Sequence, residues 1–175
     1  MLKTIFILCA LLIAGILAYA GTRPDTFEVR RSASIEASPE KIFAIINDYH
    51  NWDKWSPWNK HDPAMTKTIS GSASGKGAVY EWAGNKMVGK GRIEIVDSVP
   101  SSKITMKLDM KEPMEANNIA EYSLEPKSDT TTVTWALRGA CPYMSKVMGL
   151  FMNIDNMVGG AFEEGLANLK TLAEK

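Results

Sequence analysis

The chain has 175 residues, of which 45% are apolar and 23% are charged, so one domain with a hydrophobic core is expected rather than a disordered segment. The formal net charge is zero, which argues against electrostatic binding of nucleic acid. The two cysteines, Cys9 and Cys141, predict no disulfide within the domain, and no Cys/His pattern predicts a metal site. We therefore expect no metal and no cofactor.

Residues 1–22 form an apolar segment with two competing interpretations. No charged residue lies between Ile5 and Ala20, and residues 2–21 just reach the length of a membrane-spanning helix. A secretory signal is the alternative, because Ala18-Tyr19-Ala20 fits a cleavage site and cleavage after Ala20 would release a secreted or periplasmic protein. We favour an uncleaved single-pass anchor. Its topology stays open, because basic residues on its two sides are nearly balanced.

The folded part is expected to begin with a strand and a helix. Apolar and polar residues alternate from Phe27 to Ile35, although Arg31 interrupts the apolar face. Ser38 can cap a following helix, and Pro39 suits its first position. The sequence therefore predicts a strand that leads directly into an amphipathic helix.

Three tryptophans follow within the stretch HNWDKWSPWNKHDP, residues 50–63. Their spacing of three predicts a short helix that Pro57 ends, with Trp52 and Trp55 on one face. The rings would bury a large apolar area as an aromatic plug, with Trp55 or Trp58 touching a ligand. The only histidines, His50 and His61, lie among polar residues and are expected in solvent rather than in catalysis.

The middle of the chain alternates with a period of two, which indicates consecutive antiparallel strands. Gly84-Asn85 marks a hairpin turn, and a glycine- and serine-rich loop, residues 71–77, lacks the spacing of a phosphate-binding loop. The expected strands cover residues 65–70, 78–83, 87–97, 103–110, 116–124 and 130–137.

The C-terminal region predicts one long helix of about eight turns, because apolar residues recur at helical spacing from Met144 to Leu172. Several glycines weaken this helix and could allow a bend or close packing, among them Gly159, Gly160 and Gly165. A helix of this length can cover the apolar face of a curved sheet, and a cavity remains where the two do not touch.

This order of elements resembles the SRPBCC or START-like superfamily, which includes polyketide cyclase/dehydrase and lipid-transport-like proteins. Three segments carry the resemblance: the opening strand and helix start over 27–43, the tryptophan segment over 47–58, and the closing helix around 162–170. The resemblance covers residues 27–175 as one domain. It implies an α+β helix-grip fold, with six to seven antiparallel strands wrapped around the C-terminal helix. It also implies a cavity for a hydrophobic ligand, but no single reaction.

Candidate ligand contacts are the inward-facing aromatic and methionine side chains together with a few polar groups. Ten methionines suit an adaptable apolar pocket, and we expect those of helix and sheet to face one another. Asn118 shares the strand face of Tyr122 and could orient a ligand with it and with Tyr80. The full candidate set is Trp55, Trp58, Tyr80, Trp82, Met106, Leu108, Met110, Asn118, Tyr122, Trp135, Met144, Met148 and Met152.

These features favour a monomeric, membrane-tethered domain that binds a hydrophobic small molecule or a lipid, without nucleic acid. The first alternative is an enzyme of the polyketide cyclase/dehydrase type, using an inward tyrosine or Asn118 in the same cavity. The second is a partner-binding module that uses the rim of the tryptophan segment. A filled interior would favour this last interpretation.

Overall fold

The computed structural model describes residues 2–151 and 153–175. An N-terminal helix precedes a strand, three short helices, six further strands and two C-terminal helices. Their bounds are α1 Leu2–Gly21, β1 Thr26–Ile35, α2 Pro39–Ile46, a 3-10 helix Tyr49–Lys54, α3 Trp58–His61, β2 Thr66–Gly71, β3 Ala78–Ala83, β4 Lys90–Val99, β5 Lys103–Glu112, β6 Ala116–Lys127, β7 Thr130–Ala140, α4 Tyr143–Met148 and α5 Ile154–Ala173.

The seven strands form one antiparallel sheet in the order β1-β7-β6-β5-β4-β3-β2. Helix α5 packs mainly along β1 and buries Phe162, Leu166 and Leu169 in the core. The predicted α+β helix-grip architecture is therefore confirmed. The predicted strands are confirmed as well. Strands β5, β6 and β7 end two or three residues later than expected, and β4 begins at Lys90 rather than at residue 87.

Helix α2 begins as its sequence predicts. The Ser38 hydroxyl accepts a hydrogen bond from the backbone amide of Lys41 at 3.4 Å, and Pro39 occupies the first turn. The helix buries Ile42 and Ile46 against the sheet. Thr131 donates a hydrogen bond to the Ala37 carbonyl at 2.7 Å, so β7 fixes the loop that leads into α2.

The prediction that Pro57 ends a helix carrying the tryptophans is wrong. Trp52 lies in the 3-10 helix, which Asp48 caps by accepting a hydrogen bond from the His50 amide. Pro57 has φ −69° and ψ −23°, already helical angles, and immediately precedes α3, which contains Trp58. The first amides of a helix have no hydrogen-bond partner within it, so a proline, which has no amide hydrogen, is tolerated there. Here Pro57 precedes a helix and does not end one.

The prediction of a single C-terminal helix is also wrong, because the structure has two helices in that region. Helix α4 ends at Met148, and α5 begins only at Ile154. The Asn153 side chain caps α5 by accepting a hydrogen bond from the Asn156 amide at 3.0 Å. An asparagine at this position competes with a continuous helix, and Gly149 further weakens it.

Arg31, which breaks the apolar pattern of β1, fastens α5 to the sheet. Its guanidinium donates to Glu163 at 2.6 Å and to Asp155 at 2.9 Å. A Cβ atom at Gly159 would overlap this guanidinium, so the glycine leaves room for the arginine. The arginine therefore holds the helix from the edge strand, outside the hydrophobic core.

Helix α1 exposes nearly all its described side chains, including Leu8, Leu11 and Leu12. Lys3–Gly21 is long and apolar enough to cross a membrane by length and composition, a criterion that signal sequences also meet. Only the last turns of α1 meet the domain. There Ala20 is buried, and the Tyr143 hydroxyl of α4 donates to the Leu17 carbonyl at 2.8 Å.

Candidate functional site

A cavity of about 340 Å³ lies between the sheet, the tryptophan segment and the N-terminal half of α5. The side chains around it are overwhelmingly apolar and aromatic. They are Phe27, Trp52, Ser56, Trp58, Met65, Tyr80, Trp82, Met87, Val88, Ile93, Leu108, Met110, Asn118, Ala120, Tyr122, Trp135, Leu137, Met157, Val158 and Phe162. This volume lies near the lower end of the range for small-molecule sites.

Stacked aromatic rings build one wall of the cavity. Trp135 of β7 stacks on Phe162 of α5 with ring centroids 3.9 Å apart and planes 9° from parallel. Tyr122 lies beside Trp135 across the β6–β7 pair, with centroids 4.9 Å apart. A Cβ atom at Gly165 would press into the Trp135 ring, so this glycine lets α5 come close enough for the stack. The wall therefore depends on one helix position without a side chain.

Trp82 forms part of the opposite wall, near the end of β3. Its indole lies across Gly91 of β4, where a Cβ atom would overlap the ring. The indole Nε1 donates to the Val88 carbonyl at 3.2 Å. Contact with glycine and the hydrogen bond together fix the orientation of the ring.

Asn118 is the buried amide of the cavity. It is 8% exposed and lies opposite Gly139 of β7, where a Cβ atom would overlap the Asn118 Oδ1 atom. The amide makes no hydrogen bond with another side chain or backbone group among the described residues. A buried amide normally has partners. The NH2 and carbonyl groups of the Asn118 side chain are therefore available to form hydrogen bonds with a polar group of a bound molecule.

Tyrosines are the only titratable side chains among the described residues that line the cavity. Burial raises the pKa of Tyr80 and of Tyr122 above the usual value of 10.0. Both phenols therefore stay neutral at physiological pH. They can donate hydrogen bonds, but neither is poised to accept a proton as a general base.

Eight of the predicted contacts come together around this cavity: Trp58, Tyr80, Trp82, Leu108, Met110, Asn118, Tyr122 and Trp135. Trp55 and Met106 lie behind the cavity wall. Trp55 is 1% exposed and packs edge-on against Tyr122 and Trp135, while Met106 is fully buried in the hydrophobic core. The tryptophan segment thus supplies Trp55 to the core and Trp58 to the cavity.

The remaining predicted contacts are the methionines from the start of the C-terminal region. Met144 is 68% exposed and Met148 is 38% exposed, both on α4 and outside the cavity lining. The expectation that they face the sheet is wrong, because α4 is a separate helix that packs against α1. Met152 lies outside the described residues.

The sequence interpretation missed several lining residues. Phe27 follows the period-two pattern of β1 and could have been found from it, and the same pattern in β7 points Leu137 inward, although Leu137 is outside the candidate set. Met157 and Val158 lie in the first turns of α5, where helical spacing was misassigned to one longer helix. Met87 lies in the β3–β4 hairpin, where no periodicity points inward.

The histidines lie outside this site. Both are exposed, and the His50 Nδ1 atom lies 2.7 Å from the Asp48 carboxylate on the surface. No described group of His, Cys, Asp or Glu residues has an arrangement that could hold a metal ion. The opposite face of the sheet carries ion pairs such as Arg138 with Glu121.

Residues 26–174 match the family model described as "Polyketide cyclase / dehydrase and lipid transport". No curated protein matches the chain. The match spans the whole sheet and both C-terminal helices, and it begins after α1.

Solved structures share the fold at low sequence identity. Protein CV1439 from Chromobacterium violaceum is 16% identical, with a TM-score of 0.61 over 87% of this chain and 99% of that chain. The Aha1 dimer from Colwellia psychrerythraea is 19% identical, with a TM-score of 0.59 over 85% of this chain and 96% of that one. The di-domain ARO/CYC StfQ from the steffimycin biosynthetic pathway is 10% identical, with a TM-score of 0.64 over 85% of this chain and 51% of that one.

Proposed function

The chain belongs to the polyketide cyclase/dehydrase and lipid-transport family, and on that premise we propose that its cavity binds a compact hydrophobic small molecule. The observation that carries the proposal is the preformed, aromatic-lined cavity of about 340 Å³. Such a cavity can bury an apolar ligand without first opening the core. A filled interior would instead have favoured the partner-binding alternative.

The cavity's size and polarity narrow the ligand class. Its volume near the lower end of the usual range favours a molecule of a few fused or linked rings over a lipid with two acyl chains. The stacked wall of Trp135 and Phe162 suits a flat aromatic face. Asn118 suits one keto or hydroxyl group, since an amide both donates and accepts hydrogen bonds.

Membrane tethering through residues 2–21 belongs to the same proposal. Support comes from the apolar length of α1 and from its contact with the domain. Tyr143 binds the Leu17 carbonyl and Ala20 is buried, so cleavage after Ala20 would remove groups that pack with the domain. The mass of the chain purified from membranes distinguishes an anchor from a cleaved signal.

Binding is favoured over catalysis by the chemistry of the lining. Acid–base catalysis of a cyclisation or dehydration needs a group that can take up a proton near neutral pH. Among the described lining residues only tyrosines titrate, and burial raises the pKa of Tyr80 and Tyr122. The family includes enzymes by its description, but this site holds a ligand more readily than it transforms one.

The test combines native mass spectrometry with a defined probe. The chain extracted in mild detergent should carry a small apolar adduct, and it should bind 3-hydroxyflavone, a compact aromatic ketone whose fluorescence reports a dry environment. A cavity-filling variant, Ala120→Phe, should abolish the binding and remain folded by circular dichroism. Equal binding by this variant would contradict the proposal, because Ala120 lines the cavity.

A further inference from the structure

The most exposed large apolar side chains of the folded domain are gathered at one end. Among the described residues after α1, five such side chains are more than half exposed: Met87, Met114, Met144, Phe151 and Met157. We call these five residues the apolar rim. A soluble surface seldom concentrates large exposed apolar groups without a partner.

Strand register places the rim at the end of the sheet where α1 joins the domain. The pairing of Thr26 with Ala140 puts the end of β7, and hence α4, beside the start of β1. Met87 lies in the β3–β4 hairpin and Met114 in the β5–β6 hairpin, both at this end. The turns at the opposite end are polar, with the sequences SASGKG, PSS and SD.

The cavity opens at the same end. Met87 and Met157 are at once mostly exposed and part of the cavity lining, so they flank its mouth. Helix α4 is fixed to the end of α1, because Tyr143 donates to the Leu17 carbonyl, one turn before α1 ends. Tyrosine side chains are enriched at the headgroup level of membrane proteins, which suits the position of Tyr143 beside the end of α1.

We propose that the apolar rim rests in the headgroup region of the bilayer that α1 enters, so that the cavity exchanges its ligand directly with the membrane. This inference rests on the proposed tether and adds the orientation of the domain relative to the bilayer. The two hairpins carry Lys86, Lys90, Lys111, Glu112 and Glu115, three lysines and two glutamates. The charge is therefore nearly balanced, and the contact is apolar and independent of anionic lipid.

The orientation is tested with the full chain in phosphatidylcholine nanodiscs. A fluorophore is attached to Met114→Cys or Phe151→Cys, in a background with Cys9→Ser and Cys141→Ser, and lipids with a shallow spin label quench it. Val99→Cys, at the opposite end of the sheet, is the control. We expect strong quenching at positions 114 and 151 and none at 99. Equal quenching at all three in correctly inserted protein overturns the proposal, as does cross-linking of two chains through position 151.

A kinetic measurement separates this inference from the proposed function. Met114→Gln combined with Phe151→Gln removes rim contacts and leaves the cavity lining untouched. Uptake of 3-hydroxyflavone from vesicles should slow by about tenfold with an unchanged binding equilibrium. Unchanged uptake would refute direct exchange. Absence of binding in the parent chain would refute the proposed function, while the quenching result would still decide the orientation.

Discussion

At the scale of single residues, the site depends on pairs in which one residue makes room for another. Asn118 lies over Gly139, Trp82 over Gly91, and Trp135 against Gly165. In each pair a Cβ atom would enter the space of the functional side chain. These glycines matter because they leave space for a neighbouring side chain. Their backbone conformational freedom is not what the site requires.

The pair of Asn118 and Gly139 gives the first prediction. Asn118→Ala should weaken 3-hydroxyflavone binding by about fivefold to tenfold, because it removes one hydrogen bond worth about 1 kcal/mol. Gly139→Ala should weaken binding similarly, since its methyl group displaces the amide. Fluorescence titration measures both. The double variant should lose little more than either single variant, and additive losses would show that the two residues act separately.

Trp55 and Trp58 lie three residues apart in the same segment, and the sequence alone does not distinguish them, yet the two rings differ in burial. Trp55 is 1% exposed, and Trp55→Ala should lower the free energy of unfolding by about 3–5 kcal/mol. Trp58 is half-buried at the cavity, so Trp58→Ala should cost less stability and more ligand affinity. Urea unfolding and probe titration check this split. Equal losses of both quantities in the Trp58 variant would assign that ring to packing alone.

At the scale of elements, α5 is held by its packing face and by Arg31. The helix buries Phe162, Leu166 and Leu169, and Asn168 donates to the Trp55 carbonyl at 3.1 Å. Through this bond α5 also fixes the tryptophan segment. The helix therefore connects the edge strand, the core and the aromatic plug.

Adjacent glycines of α5 provide a matched test of this attachment. Gly160 faces open space, so Gly160→Ala should raise the free energy of unfolding by roughly 0.5–1 kcal/mol through helix propensity. Gly159→Ala gains the same propensity, but its methyl group displaces the Arg31 guanidinium from its two carboxylates. Chemical unfolding should therefore show Gly159→Ala as the less stable of the two. The reverse order would mean that Arg31 contributes nothing to the docking of α5.

The attachment of α4 should depend on pH. The Lys146 side chain is 7% exposed, and its ammonium donates to the exposed Asp25 carboxylate at 2.6 Å. That hydrogen bond and the lysine's charge lower the pKa of Asp25 below its usual 3.8. Because the folded-state pKa is depressed, the stabilisation is present above the ordinary value and is lost as the pH falls through the folded value.

Hydrogen exchange of α4, corrected for the intrinsic effect of pH, measures this attachment. Asp25→Asn should speed exchange in α4 at pH 7, because it removes the carboxylate that pairs with the Lys146 ammonium. The wild-type chain should reach comparable exchange only under acid conditions. Asp129→Asn, in the exposed β6–β7 turn, is the control. Unchanged exchange in the Asp25 variant would show that contacts with α1 alone hold α4.

At the scale of the whole molecule, local periodicity was enough to predict the sheet, while close approach between distant segments was not visible in the sequence. The alternation of β5 correctly predicts that Met106 and Met110 face inward, but only Met110 lines the cavity, while Met106 is fully buried in the core. The C-terminal pattern was continuous in hydrophobicity, so the cap at Asn153 was missed. Arg31 interrupts the alternation of β1, and the sequence does not show why, because its partners Asp155 and Glu163 lie 124 and 132 positions away.

The short connection between α1 and the domain limits how far the domain can travel. Only residues 22–25 separate Gly21 from Thr26, and four extended residues span at most about 14 Å. In the tethered state that we propose, the domain cannot carry its ligand across an aqueous compartment to a second membrane. The bilayer itself or a receiving protein would have to take up the ligand at the membrane surface, so delivery would depend on the local density of acceptors there.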